Sequence, residues 1–134
     1  MSAYYIDTSA ALKFLVRESH SQALADFYDA NAVAPWLSSA LLRVEVCRTV
    51  TRAEPALLDQ AREMLAAFHY IDIDDGIVDA ASSEPNRNLR SLDAIHLASA
   101  RLVGTDLIAL VTYDVRLREA ALQAGIPVAR PGAE

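Results

Sequence analysis

The chain has 134 residues, 53% hydrophobic and 22% charged, with a formal net charge of −6. That balance excludes a disordered chain, and the length suits one domain over residues 1–134 whose core needs no covalent staple. A lone cysteine, Cys47 in an apolar helical stretch, excludes an internal disulfide and reads as a small buried hydrophobe. With no signal-peptide pattern and no apolar run of about 18 residues, a cytoplasmic protein without membrane contact is expected.

In chain order, residues 3–6 read as a buried strand, and Thr8 or Ser9 can cap a helix to about Val16. Ser19-His20-Ser21-Gln22 fits a capping box and opens a second helix with Leu24, Phe27 and Tyr28 on one face. Ala32-Val33-Ala34 reads as a short strand stopped by Pro35, and Ser38 or Ser39 as the cap of a long helix carrying Leu41, Val44, Glu45 and Arg48. Pro55 suits the first turn of a helix running to about Phe68, and residues 70–73 read as a strand. A helix from near Asp74 ends before Pro85, and another over Leu92–Val103 is stopped by Gly104. Strand 107–111, helix 115–124 and a short strand near Val128 complete the chain. This βα alternation predicts a three-layer α/β/α sandwich around a parallel sheet of four or five strands.

Four acids stand out against apolar surroundings. Asp7 and Asp114 each close an apolar strand-like run, where open α/β sheets bind their ligands. Glu45 and Asp93 interrupt stretches that otherwise read as apolar helix. A carboxylate in such surroundings is costly unless its charge is compensated, and a pair of divalent cations would do so for all four. Each acid also has a structural explanation: a helix N-terminus for Asp7, Asp93 and Asp114, and a Glu45–Arg48–Arg52 stripe for Glu45.

Ile6-Asp7-Thr8-Ser9, Glu45 in its apolar helix, Leu92-Asp93-Ala94-Ile95-His96-Leu97-Ala98 and Val111-Thr112-Tyr113-Asp114 occur in the order seen in PIN-domain nucleases. More narrowly, the chain resembles the VapC-type toxins of bacterial toxin–antitoxin pairs, over essentially its whole length. The resemblance carries the family's catalytic and metal-holding acids over to Asp7, Glu45, Asp93 and Asp114, and its supporting hydroxyls to Thr8 or Ser9 and Thr112. It implies magnesium- or manganese-dependent endonucleolytic cleavage of RNA and a small cognate antitoxin, with a homodimer left open.

Negative net charge argues against a nucleic-acid partner at first, but less so once cations offset the acids. Lys13 with Arg17, and Arg116 with Arg118, are basic groups that could meet phosphates or simply be solvated. Zinc is a poor alternative, because His20, His69 and His96 lack zinc-ligand spacing; His96, one turn from Asp93, reads as a packing or hydrogen-bonding residue that could reach the site. Leu12, Leu15, Val16, Leu24, Phe27 and Tyr28 suggest a groove between the first two helices that receives an amphipathic antitoxin segment. Two other classes compete: a non-catalytic interaction module, and a receiver-type phospho-acceptor suggested by Ile73-Asp74-Asp75 but lacking the late lysine it would need.

Overall fold

The computed structural model describes residues 2–133. Five strands form the middle layer: β1 (Ala3–Ile6), β2 (Trp36–Ser39), β3 (His69–Ile71), β4 (Leu107–Val111) and β5 (Val128–Ala129). All pair in parallel, in the order β3-β2-β1-β4-β5. The helices are α1 (Thr8–Ala11), continued by a 3-10 turn over Leu12–Phe14, α2 (Ser21–Ala30), α3 (Leu41–Ala53), α4 (Leu58–Leu65), α5 (Asp75–Ser82), α6 (Ser91–Val103) and α7 (Val115–Gln123).

Strand alternation divides the core between the two faces of the sheet. Tyr4 and Ile6 pack with Ala10, Leu24, Leu42, Val46 and Leu65, beneath α1–α4. Tyr5 points the other way, among Leu97, Leu110, Leu117 and Ala121, beneath α6 and α7. The result is the three-layer α/β/α arrangement expected, with the apolar strand 107–111 in the sheet interior. From β1 the chain builds outward to β2 and β3, then crosses over to β4. The reversal of strand order therefore falls between β1 and β4, where an open α/β sheet forms its ligand crevice.

Local details depart from the sequence reading where side chains compete for the same backbone. The second strand lies after Pro35, not before it: Val33 is fully exposed, whereas Trp36 is buried and stacks on Tyr4 at 4.8 Å. Ser38 and Ser39 consequently belong to β2, although the Ser39 hydroxyl still accepts from the Leu41 N–H at the start of α3. Asp7, rather than Thr8 or Ser9, caps α1. No capping box forms at α2, where His20 takes a left-handed φ of 72° and the Ser21 hydroxyl turns back to Val16 O. Residues 72–73 lie outside β3, and Asp74 accepts from the Ile77 N–H as the cap of α5. That local role accounts for the acid on which the receiver-type reading leaned. Gly104, at φ 67°, ends α6 as expected of a residue without a Cβ. Among the described residues, no helix is long and apolar enough to cross a membrane.

Candidate active site

The reversal between β1 and β4 brings Asp7, directly after Ile6 of β1, and Asp114, a few residues after Val111 of β4, to one edge of the sheet. Both cap the following helix: Asp7 Oδ1 accepts from the Ala10 N–H at 3.0 Å, and Asp114 Oδ1 from the Leu117 N–H at 2.8 Å. Helix α3 leaves the same edge directly after β2 and carries Glu45. Helix α6 starts there before running down to β4, and carries Asp93 in its first turn. Asp93 feels the charges of Asp114, Asp7 and Glu45, so the four acids form one electrostatic group.

Their environments differ. Asp7 is 2% exposed and held from several sides. The Thr112 hydroxyl donates to its Oδ2 at 2.6 Å, and the Ser9 hydroxyl to Oδ1 and Oδ2 at 2.8 and 3.0 Å. Burial pushes its carboxyl above the ordinary range, against the opposing effects of His96 and these donors. Thr112 also accepts from the Asp114 N–H, and Ser9 from the Tyr113 N–H, so the two hydroxyls stitch the end of β4 to the end of β1.

Glu45 is oriented differently. Its Oε1 accepts from the Thr8 hydroxyl at 2.6 Å and lies 2.7 Å from His96 Nε2, while Oε2 has no hydrogen bond among the described residues. Among the described residues no arginine pairs with it, so the Glu–Arg pairing expected along the Glu45–Arg48–Arg52 stripe does not form. Burial raises the Glu45 pKa, but the hydrogen bonds from His96 and Thr8 and the His96 charge outweigh this, and the net shift is downward.

Asp93 and Asp114 border an open polar cleft of about 390 Å³ with Arg90 and Arg116. The Asp93 carboxyl is pushed up to about 6, first by burial and then by Asp114, Asp7 and Glu45, with His96 opposing. Three neighbouring carboxylates thus add to the cost of ionising Asp93. Among the described residues, no three His, Cys, Asp or Glu side chains close into a ready-made metal cage. The donor set still suits a hard divalent ion, which keeps several waters and takes only one or two carboxylates.

The cleft continues past Arg90 and Arg116 to Arg87. Arg87 and Arg90 lie in the loop before α6, and the sequence reading passed over them; their signal was two arginines in a polar segment leading into the Asp93 helix. Lys13, by contrast, bonds locally to Glu18 and to Ser19 O, and Arg17 to Gln22. The Tyr5 hydroxyl, 2.7 Å from His96 Nδ1, was hidden inside an apolar strand.

A parallel sheet with acids gathered over its strand reversal defines an α/β fold with a polar, anionic crevice, and comparison with known proteins assigns it. The chain belongs to the PIN-domain family, whose model matches residues 4–122, and within it to the VapC ribonucleases. It is 43% identical over 130 residues to Ribonuclease VapC35 of Mycobacterium tuberculosis, with 96% of each chain covered. Ribonuclease VapC46 of the same organism is 40% identical over 131 residues, covering 98% of this chain and 99% of that one. Among solved structures, VapBC2 from Rickettsia felis, bound to a DNA fragment from its promoter, shares the fold with a TM-score of 0.71. That match covers 95% of this chain and 97% of the other, at 12% identity.

Proposed function

We propose that the chain is a divalent-metal-dependent endoribonuclease, using Mg²⁺ or Mn²⁺, and the toxin half of a toxin–antitoxin pair. The observation that carries this reading is the convergence of four acids at the strand reversal, with Asp93 raised to about 6 by burial and then by the charges of Asp114, Asp7 and Glu45. The names of the relatives, each a ribonuclease, support the same reaction here.

Asp93 and Asp114, which border the cleft, and Glu45 through its free Oε2 are the oxygens that would hold the metal, with Asp7 behind them. A bound divalent ion would activate the attacking water and stabilise charge on the reacting phosphodiester. Ser9 and Thr112 hold Asp7 in place, and Thr8 holds Glu45. The exposed side chains of Arg87, Arg90 and Arg116 make no hydrogen bond or ion pair among the described residues, and would meet the phosphates of an RNA strand entering the cleft.

Most of the apolar surface expected to receive an antitoxin is consumed by the core. Leu24 is fully buried, and Phe27 packs edge-on against Tyr4 and Trp36. One apolar groove, about 270 Å³, lies between α2 and α4, lined by Phe14, Ala25, Tyr28, Met64 and Phe68, while Leu12 and Val16 line another of about 360 Å³ with Val50 and Leu57. The groove between α2 and α4 would take the apolar face of an antitoxin helix.

Expression of the lone chain in bacteria tests the toxin reading. Growth arrest by the wild type and normal growth with Asp93→Asn, at matched levels of folded protein, is the expected result. Unimpaired growth with the wild type contradicts it.

A further inference from the structure

Tyr5, His96, Glu45 and Thr8 form a continuous hydrogen-bonded chain drawn from β1, α6, α3 and α1. The Tyr5 oxygen accepts from the Ser39 N–H at 3.0 Å and lies 2.7 Å from His96 Nδ1. His96 Nε2 lies 2.7 Å from Glu45 Oε1, and the Thr8 hydroxyl donates to that same oxygen at 2.6 Å. His96 is 1% exposed and Tyr5 fully buried, whereas the Glu45 side chain is 19% exposed. The chain thus runs from the core outward to the acid group.

Donor and acceptor bookkeeping gives the chain a direction. An ionised carboxylate can only accept, so Nε2 carries a proton and donates to Glu45. On its other side the ring is tied through Nδ1 to the Tyr5 hydroxyl at 2.7 Å. Because the Tyr5 oxygen is already aligned by the Ser39 N–H, the backbone of β2 fixes the tyrosine and the tyrosine fixes the imidazole. A glutamate on a helix face otherwise explores several rotamers. Here Oε1 is pinned by donors from two different helices.

We propose that His96 is a positioning residue: its Nε2–H, set by the Tyr5 hydroxyl, pins Glu45 Oε1 so that Oε2 remains the oxygen offered to the divalent metal. The inference rests on the nuclease reading above. It also separates His96 from a buried packing residue, because its effect must pass through Glu45 and vanish when Glu45 is removed.

Calorimetric titration of the purified chain with Mn²⁺ tests this without requiring turnover. Loss of a partner that orients a metal-ligating side chain typically weakens binding by about 10–100-fold, and His96→Asn should fall in that range. Its shorter amide cannot reach Glu45, whereas the Nε2 of His96→Gln lies near the imidazole Nε2 and should restore most of the affinity. Tyr5→Phe, which keeps the ring and removes the hydroxyl, should weaken binding by less. In a Glu45→Ala background, none of these substitutions should change Mn²⁺ affinity further. Unchanged affinity in folded His96→Asn, no recovery in His96→Gln, or an equal further loss without Glu45 would overturn the proposal. If His96→Asn does not fold, Tyr5→Phe with and without Glu45 decides it by the same criterion. A wild-type chain that binds no Mn²⁺ overturns both this inference and the nuclease reading; one that binds it, with unaffected variants, overturns this inference alone.

Discussion

Asp7 and Thr112 lie 105 residues apart in the chain, yet the Thr112 hydroxyl donates to Asp7 Oδ2 at 2.6 Å. Each is the first residue past a strand, and β1 and β4 are neighbours only because the chain crosses over after β3. The bond therefore closes the reversal point itself. It also holds a buried carboxylate whose charge would otherwise be costly there.

Asp7→Asn should leave the metal-free protein about as stable as the wild type, because the amide oxygen can still cap α1 and the buried charge is gone. Asp7→Ala removes the cap and leaves the Ser9 and Thr112 hydroxyls without their acceptor. A loss of about 1–2 kcal/mol is expected, the upper range for deleting an N-cap. Urea unfolding of the three proteins in chelator checks the order.

Metal-free stability should depend on pH through Asp93. Its pKa rises from the ordinary 3.8 to about 6 in the folded state, so folding favours the protonated form. The favourable contribution is complete below the ordinary value and is lost as pH rises toward about 6. Thermal melts across that window should fall in the wild type and flatten in Asp93→Asn. Glu45, shifted downward, acts in the opposite sense: the stability it contributes is lost as pH falls through its lowered value. Mg²⁺ or Mn²⁺, binding the native state, should recover what Asp93 loses at neutral pH.

The order of strands and helices was legible in the sequence because β1 and β4 are short apolar runs and the helical patterns between the strands are bounded by turn or capping residues. The four acids were legible as charges in apolar stretches. Competition between neighbouring residues was not. Ser38 and Ser39 have the composition of a helix cap but serve as strand, since Trp36 must bury its ring against Tyr4. Thr8 and Ser9 were candidates for one cap, yet Asp7 takes it and frees them for Glu45 and Asp7. The partner of Glu45 is His96 rather than a nearby arginine, a contact 51 residues distant that no local pattern encodes.

The arginines should act on substrate rather than metal. Single substitutions Arg87→Ala, Arg90→Ala and Arg116→Ala should weaken RNA binding and each reduce its salt dependence by about one unit of log–log slope. Mn²⁺ affinity should stay at the wild-type level. Fluorescence anisotropy with a labelled oligoribonucleotide, in a chelator-treated sample and over a salt series, measures this. A uniform loss of metal binding in all three would instead place them in the metal centre.

Cleavage of RNA by the acid group with a divalent ion can be measured directly. Purified wild-type chain, stripped of metal, should be incubated with a mixed RNA pool with and without Mg²⁺ or Mn²⁺, beside Asp93→Asn. Metal-dependent fragmentation by the wild type is predicted, with a loss of about 100-fold or more in folded Asp93→Asn, the scale of removing a group that stabilises transition-state charge. Cleavage that persists in chelator, or equal cleavage by wild type and Asp93→Asn, would contradict it.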